Sequence, residues 1–285
     1  MSLRRRRIYW VVPPAVVLMS LCALKTSSAQ QGTDESTYIG SKACLSCHAD
    51  AAKPFPRTAH RVLFLEDEPG EKNGCEACHG PGSGHLEEPG ENIIKFSEAA
   101  PQETIKACQT CHFGGIQAKF RNSRHAKNDL ACTSCHNPHS TSKTLLRQSQ
   151  PEACIECHRE KKRTLAMPSR HPVNEGKVNC SDCHDPHDNS RTAMKNVKNA
   201  CLGCHQEKAG PFLYEHRAVQ ENCTNCHLPH GSVNQNLLKF RTPALCLQCH
   251  SDAPVFHDFT QANYRKCSNC HEAIHGSNIS EKLLQ

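Results

Sequence analysis

Residues 125–139 read HAKNDLACTSCHNPH, in which the motif Cys132-Thr-Ser-Cys135-His136 lies between two further histidines. The same Cys-x-x-Cys-His motif occurs ten times in the 285 residues of the chain, and we number these motifs 1 to 10 in chain order. This motif is the attachment signal for c-type haem, in which both thiols bond to the porphyrin and the histidine is placed to bind the iron. The sequence therefore predicts ten covalently bound c-type haems, each with its iron.

Twenty of the 21 cysteines belong to the motifs and are the predicted attachment residues. They are Cys44, Cys47, Cys75, Cys78, Cys108, Cys111, Cys132, Cys135, Cys154, Cys157, Cys180, Cys183, Cys201, Cys204, Cys223, Cys226, Cys246, Cys249, Cys267 and Cys270. A zinc ribbon or a disulfide framework would also use paired cysteines, but neither requires a histidine after every second cysteine.

The iron ligands are predicted to be all 20 histidines, ten inside the motifs and ten outside them. The motif histidines are His48, His79, His112, His136, His158, His184, His205, His227, His250 and His271. The spare histidines are His60, His85, His125, His139, His171, His187, His216, His230, His257 and His275. Because ten irons each need one more axial ligand, this equality predicts that every iron is closed on both faces. Such irons transfer electrons and leave no open site, so no catalytic residue is predicted.

The motifs form five two-haem repeats, each with the order motif, internal histidine, motif, tail histidine. The repeats span residues 44–85, 108–139, 154–187, 201–230 and 246–275. From the second repeat onward their first motifs are 46, 47 and 45 residues apart, which is typical of a linear array in which each unit contacts its neighbours. The tail histidine of the middle repeats comes only three residues after a motif histidine, too close to reach the other face of the same iron. The simplest expectation is that it binds the first haem of its own repeat, which leaves the internal histidine for the second.

The N-terminal 29 residues are predicted to be a signal peptide, and residues 30–285 the decahaem domain. Arg4 to Arg7 form a basic start, the segment from Ile8 to Leu24 is apolar, and the small residues up to Ala29 fit a cleavage site. An uncleaved anchor is the alternative. No other membrane span is expected, and export implies a periplasmic protein.

The composition predicts a chain that is mostly irregular, with short α-helices, little or no β-structure and an elongated multihaem form. Hydrophobic residues are 37% of the chain, against a usual 45–50%, so a core made of protein alone would be small. Helical runs are expected at 104–111, 151–162 and 199–207. Without the leader, 29 basic residues face 28 acidic ones, which gives no support for nucleic-acid binding.

Three features resemble the decahaem cytochromes of the MtrA/DmsE/PioA family: the segment from Gly74 to His85, the Cys-His-x-Pro-His tails, and the segment from Ser169 to His184. The resemblance covers nearly all of the chain after residue 29. The last repeat departs from it, because His271 and His275 are separated by one extra residue and no proline.

This resemblance implies a periplasmic, outer-membrane-associated electron conduit with redox-protein partners. Those partners would be an outer-membrane β-barrel porin, which sheathes the cytochrome, and an extracellular cytochrome or reductase. A diffusible periplasmic shuttle, a multihaem reductase and a polymeric cytochrome filament remain alternatives.

Overall fold

The computed structural model describes residues 36–64, 67–188, 197–254 and 257–284. The predicted signal peptide, with Cys22, lies outside these ranges, as does Met194. Within them, no helix has both the length and the apolar character needed to cross a membrane.

Short helices and irregular connections make up the described chain, which confirms the predicted fold class. The α-helices are α1 (Ser41–Ala52), α2 (Glu76–His79), α3 (Ser83–Glu87), α4 (Pro101–Gln109), α5 (Cys132–Cys135), α6 (Glu152–Ile155), α7 (Arg159–Thr164), α8 (Cys180–Cys183), α9 (Val197–Leu202) and α10 (Arg217–Glu221). Short 3-10 helices span Phe55–Arg57, Ala59–Phe64, Gln117–Asn122, Ala126–Asn128, Gln206–Lys208, Cys223–Asn225, Gln235–Leu237, Cys246–Gln248, Ala262–Arg265 and Cys267–Asn269. Where the structure describes the chain, β-structure is limited to isolated bridges between residue pairs.

Two of the three expected helical runs are interrupted at a motif histidine, whereas the run 104–111 is found as α4, which begins earlier and ends at Gln109. The run 151–162 is divided into α6 and α7, because His158 has a non-helical backbone with φ −85° and ψ 53°. His205 takes nearly the same conformation, φ −95° and ψ 53°, between α9 and the 3-10 helix that follows it. His136 and His184 are fully extended after α5 and α8. Each motif thus forms about one helical turn, and the chain changes direction at the histidine.

Hydrophobic burial is modest, as the composition predicts. One cluster joins Ile105 of α4 to Phe120, Ala126 and Ala131, and Cys132 packs against it. Phe120, Ser123 and Ala126 are buried at a spacing of three residues, which is the period of a 3-10 helix. This cluster fixes the chain on either side of His125.

Successive repeats are held together near their spare histidines. Ser169 and Ser232 form a β-bridge with N–H···O distances of 3.2 and 2.8 Å. Tyr214 and Ser277 form the equivalent bridge one repeat later, at 2.8 and 2.9 Å. Ser169 and Tyr214 each lie two positions before an internal histidine. Ser232 and Ser277 each lie two positions after a tail histidine. The internal histidine of one repeat therefore lies beside the tail histidine of the next.

The first repeat has no preceding repeat, and an N-terminal segment is anchored to it by two carboxylates. Glu76 is 1% exposed and accepts hydrogen bonds from the backbone N–H groups of Ile39, Gly40 and Gly82 at 2.7–3.0 Å. Asp67 accepts one from the N–H of Ser41 at the start of α1, at 3.1–3.2 Å. These bonds order residues 39–41 against motif 2.

Candidate haem-binding sites

Every motif histidine faces one spare histidine, and no histidine is used twice. The pairs, in order of the motifs, are His48–His85, His79–His139, His112–His60, His136–His187, His158–His125, His184–His230, His205–His171, His227–His275, His250–His216 and His271–His257. The structure thus brings together all 20 histidines that the sequence nominated as ligands.

The spacing of the rings fits a metal ion between them. The ring centroids in the ten pairs are 5.8–6.3 Å apart. Two metal–imidazole bonds of about 2.0 Å, plus about 1.1 Å from each nitrogen to its ring centre, would give about 6.2 Å. Within the described ranges, no group of three or more histidine, cysteine or acidic side chains is arranged to hold a metal ion. Two protein ligands suit an iron whose other four ligands come from a porphyrin.

The pairing expected from the sequence for the middle repeats, in which both spare histidines bind haems of their own repeat, is wrong. An internal histidine faces the first motif of the following repeat, as His125 faces His158. A tail histidine faces the second motif of the preceding repeat, as His187 faces His136. Only His85 and His257, at the two ends of the array, face a motif of their own repeat. The physical reason is the contact between repeats: two β-bridges, and the hydrogen bond from His125 to Pro186, place these tails beside the preceding repeat.

The imidazole protons are placed so that the opposite ring nitrogen can bind metal. Since a carbonyl oxygen can only accept a hydrogen bond, each Nδ1 facing one carries the proton, and Nε2 keeps its lone pair. Four motif histidines donate to a carbonyl of the loop that follows: His79 to Ile94 (2.8 Å), His136 to Thr144 (3.0 Å), His227 to Asn236 (2.8 Å) and His271 to Lys282 (2.7 Å). Three internal histidines donate to the residue just before the next tail histidine: His125 to Pro186 (2.9 Å), His171 to Pro229 (2.7 Å) and His216 to Ile274 (2.9 Å).

Aromatic side chains contact several of these imidazoles and limit their rotation. Phe55 and Phe96 lie against His139 and His79, the two members of one pair. Phe120 lies against His187, and Tyr264 against His257. Sequence reasoning did not single out these residues, because they are not at a fixed distance from any motif.

The motif cysteines form an unbroken chain of neighbours that follows the sequence order from motif 1 to motif 10. Within a repeat, the first cysteines of the two motifs interact through their thiols: Cys44 with Cys75, Cys108 with Cys132, Cys154 with Cys180, Cys201 with Cys223, and Cys246 with Cys267. Between repeats, a neighbouring thiol adds to the effect of burial and raises the pKa of its neighbour: Cys111 raises that of Cys78, Cys157 that of Cys135, Cys183 that of Cys201, and Cys249 that of Cys226. Neighbouring attachment sites in sequence are therefore neighbours in space.

The environment shifts the pKa of several of these side chains in the protein without bound haem. Burial, followed by the neighbouring thiol, raises the pKa of Cys44, Cys201 and Cys246 to about 11. The hydrogen bond from Cys154 lowers the pKa of Cys180 to about 7, so that one thiol of this pair ionises first. Burial also lowers the pKa of the tail histidines His139, His230 and His275, which favours the neutral imidazole that a metal requires.

Three attachment-site repeats match the family model described as "Doubled CXXCH motif", at residues 125–163, 171–210 and 216–254. With ten motifs and paired imidazoles, this match defines the chain as a multihaem c-type cytochrome. The protein "Multiheme cytochrome MtrA" from Shewanella baltica (strain OS185) is 36% identical to this chain over 270 residues, which are 86% of this chain and 81% of that protein. The chain therefore belongs to the MtrA family of multihaem cytochromes, which confirms the resemblance found in its sequence and supports a role in electron transfer.

Proposed function

We propose that this protein is a decahaem electron conduit in which all ten irons are bound by two histidines. The observation that carries the proposal is the one-to-one pairing of motif and spare histidines at 5.8–6.3 Å. Each haem is held by the two cysteines and the histidine of its motif and by the spare histidine facing it. We number the haems 1 to 10 after their motifs.

The haems, once bound, supply the redox chemistry, and the polypeptide determines which side chains hold them and in what order. The cysteine chain from motif 1 to motif 10 supports a single file without a branch. Ligation by two histidines at every site gives similar potentials, which suit transfer in either direction. The protein itself transforms no substrate in this proposal.

The proposed location is the periplasm, after removal of residues 1–29, in association with the outer membrane. Hydrocarbon cannot solvate the peptide groups of an irregular chain, so a route across a membrane requires a protein sheath. The proposed sheath is a β-barrel porin, and the proposed partners are periplasmic carriers on one side and an extracellular cytochrome or reductase on the other. A diffusible periplasmic shuttle is the second candidate, because the same haem chain would serve it.

The haem count is tested by the intact mass of the mature, denatured protein. The expected mass exceeds that of the apoprotein by ten haem increments, and near-infrared magnetic circular dichroism should show only low-spin iron with two imidazole ligands. Fewer than ten increments in fully matured protein, or a high-spin iron that turns over nitrite or hydroxylamine, would contradict the proposal and favour a reductase.

The conduit is tested with liposomes that contain a redox dye and receive an external reductant. The cytochrome alone should leave the dye oxidised, whereas the cytochrome purified with its barrel partner should reduce it. A leakage control uses the barrel without the cytochrome. If no barrel protein co-purifies from outer membranes and the cytochrome is recovered free in the periplasm, the shuttle is the correct function.

A further inference from the structure

We propose that Asp185 lowers the reduction potential of haem 4, one of the four haems closed by a tail histidine from another repeat. These four are haems 2, 4, 6 and 8, closed by His139, His187, His230 and His275. This inference rests on the proposed two-histidine ligation and concerns only the surroundings of the ligands.

Asp185 lies directly against the ring of His187. Its Oδ1 is 3.4 Å from Nδ1 of His187, and it also accepts a hydrogen bond from the backbone N–H of His187 at 3.0 Å. The carboxylate side chain is 14% exposed and the imidazole 22% exposed, so water screens the contact only weakly. Nδ1 of His187 is buried and makes no hydrogen bond, which leaves this carboxylate as the group facing it.

Of the other three tail histidines, two have an uncharged residue at the position of Asp185, and the fifth repeat has Glu272 there. Asn137 occupies the position of Asp185 in the second repeat and accepts the same backbone bond, from His139 at 3.1 Å, but its amide is neutral. In the fourth repeat the corresponding residue is Leu228.

Two carboxylates that influence other tail histidines each have a lysine beside them. His230 is influenced by both Glu160 and Lys161, whose charged groups are 3.7 Å apart. His275 is influenced by both Glu207 and Lys208, whose charged groups are 4.0 Å apart. In the described part of the chain, the structure gives Asp185 no ion pair with a lysine or arginine.

A carboxylate beside Nδ1 makes the imidazole a stronger donor to the iron. A stronger donor favours the ferric over the ferrous state and so lowers the reduction potential. Haem 4 should therefore be reduced after haems 2 and 6.

The test is a redox titration of the holoprotein, followed by visible absorbance, in Asp185→Asn and its controls. The Asp185→Asn side chain can keep the turn, as Asn137 does, while it loses the charge. We expect one tenth of the haem absorbance to move to a more positive potential. The reciprocal variant Asn137→Asp should move a different tenth, that of haem 2, to a more negative potential.

Asp182→Asn is the matched control for a general loss of charge. Asp182 is in motif 6, close to Asp185 in the sequence, but its carboxylate accepts a hydrogen bond from the N–H of Asn179 at 2.8 Å. We expect its titration to shift much less than that of Asp185→Asn. Equal shifts in the two variants would overturn the proposal, because they would show an effect of net charge alone.

Haem mass and spin state separate this inference from the proposed function. An unchanged titration in Asp185→Asn with ten low-spin haems would overturn the role of Asp185 and leave the conduit intact. If Asp185→Asn instead produces a high-spin iron, the reciprocal variant Asn137→Asp decides between the two outcomes. A more negative potential of haem 2 in that variant supports the proposal, and an unchanged potential overturns it. Fewer than ten haems or unpaired irons in the unmodified protein would contradict the proposed function itself.

Discussion

The eight interior histidine pairs and the two terminal pairs are built from the same residues but join different parts of the chain. An interior pair takes one histidine from each of two successive repeats, whereas His48–His85 and His257–His271 lie within the first and last repeats. If each pair binds an iron, every junction between repeats is crossed by two coordination bonds. The ends close on themselves because the array offers them no further neighbour.

This difference places most of the histidine pairs at the junctions rather than within the repeats. A middle repeat alone would leave its spare histidines without a facing motif histidine. Stability in such an array is a sum of unit and interface contributions, and in the proposed holoprotein the interface contribution would include metal coordination. The predictions below compare interior and terminal positions on this basis.

The largest difference is expected between His187→Ala and His257→Ala. Each should convert one low-spin iron to high spin with both thioethers kept, so that haem mass is unchanged. His187→Ala also removes one of the two links between the second and third repeats, and we expect a loss of about 4 kcal/mol of stability. His257→Ala frees only the end of the chain and should cost about half as much. Thermal unfolding and limited proteolysis measure the difference.

Equal losses of stability in these two variants would contradict the linking role of interior pairs. A spectrum that remains low-spin throughout in His187→Ala would show that His187 is not a ligand or that a methionine replaces it. The matched check is His187→Met, which should keep haem 4 six-coordinate and raise its potential.

A smaller effect is expected from Gly231→Ala, which tests how closely two interior repeats approach. A Cβ atom at Gly231 would clash with the carbonyl oxygen of Thr164, so the junction between the third and fourth repeats must move apart. We expect a loss of about 3 kcal/mol, since backbone rather than a flexible side chain must yield. Ser140 offers a matched position for comparison, because it directly follows the tail histidine of the second repeat, as Gly231 directly follows the tail histidine of the fourth.

Ser140→Ala is therefore the control, and should cost less than about 1 kcal/mol because only one hydrogen bond, from the N–H of Ser142 at 3.1 Å, is lost. Denaturation curves of the two variants, with haem content measured in parallel, test the comparison. Similar curves would mean that this junction tolerates separation.

The irregular fold and the multihaem class could be predicted from the sequence, because these follow from local motifs and composition, and the full set of attachment cysteines and iron ligands stays a prediction. The sequence did not predict the pairing, since the choice of iron depends on contacts about 60 residues apart, such as that between His125 and Pro186. A signal was nevertheless present at both ends. His85 comes six residues after His79 instead of three, and His257 comes seven residues after His250, against 11–13 for the other internal histidines. Both unusual spacings belong to the pairs that close within a repeat.

The smallest effect is expected at the N-terminal end, from Glu76→Gln. Glu76 occupies a variable position of motif 2, where the sequence gives no sign of burial, yet its two oxygens accept hydrogen bonds from three backbone N–H groups. Glutamine has one acceptor oxygen and would turn an amide N–H toward these donors. We expect a loss of about 2 kcal/mol confined to the first repeat. Amide hydrogen exchange should become faster at Ile39 and Gly40 and stay unchanged at the interior bridges of Ser169 and Tyr214. Glu71→Gln, at an exposed position, should change neither. A uniform acceleration along the whole chain would show that the terminal repeat is not an independent unit, and would remove the distinction between ends and interior.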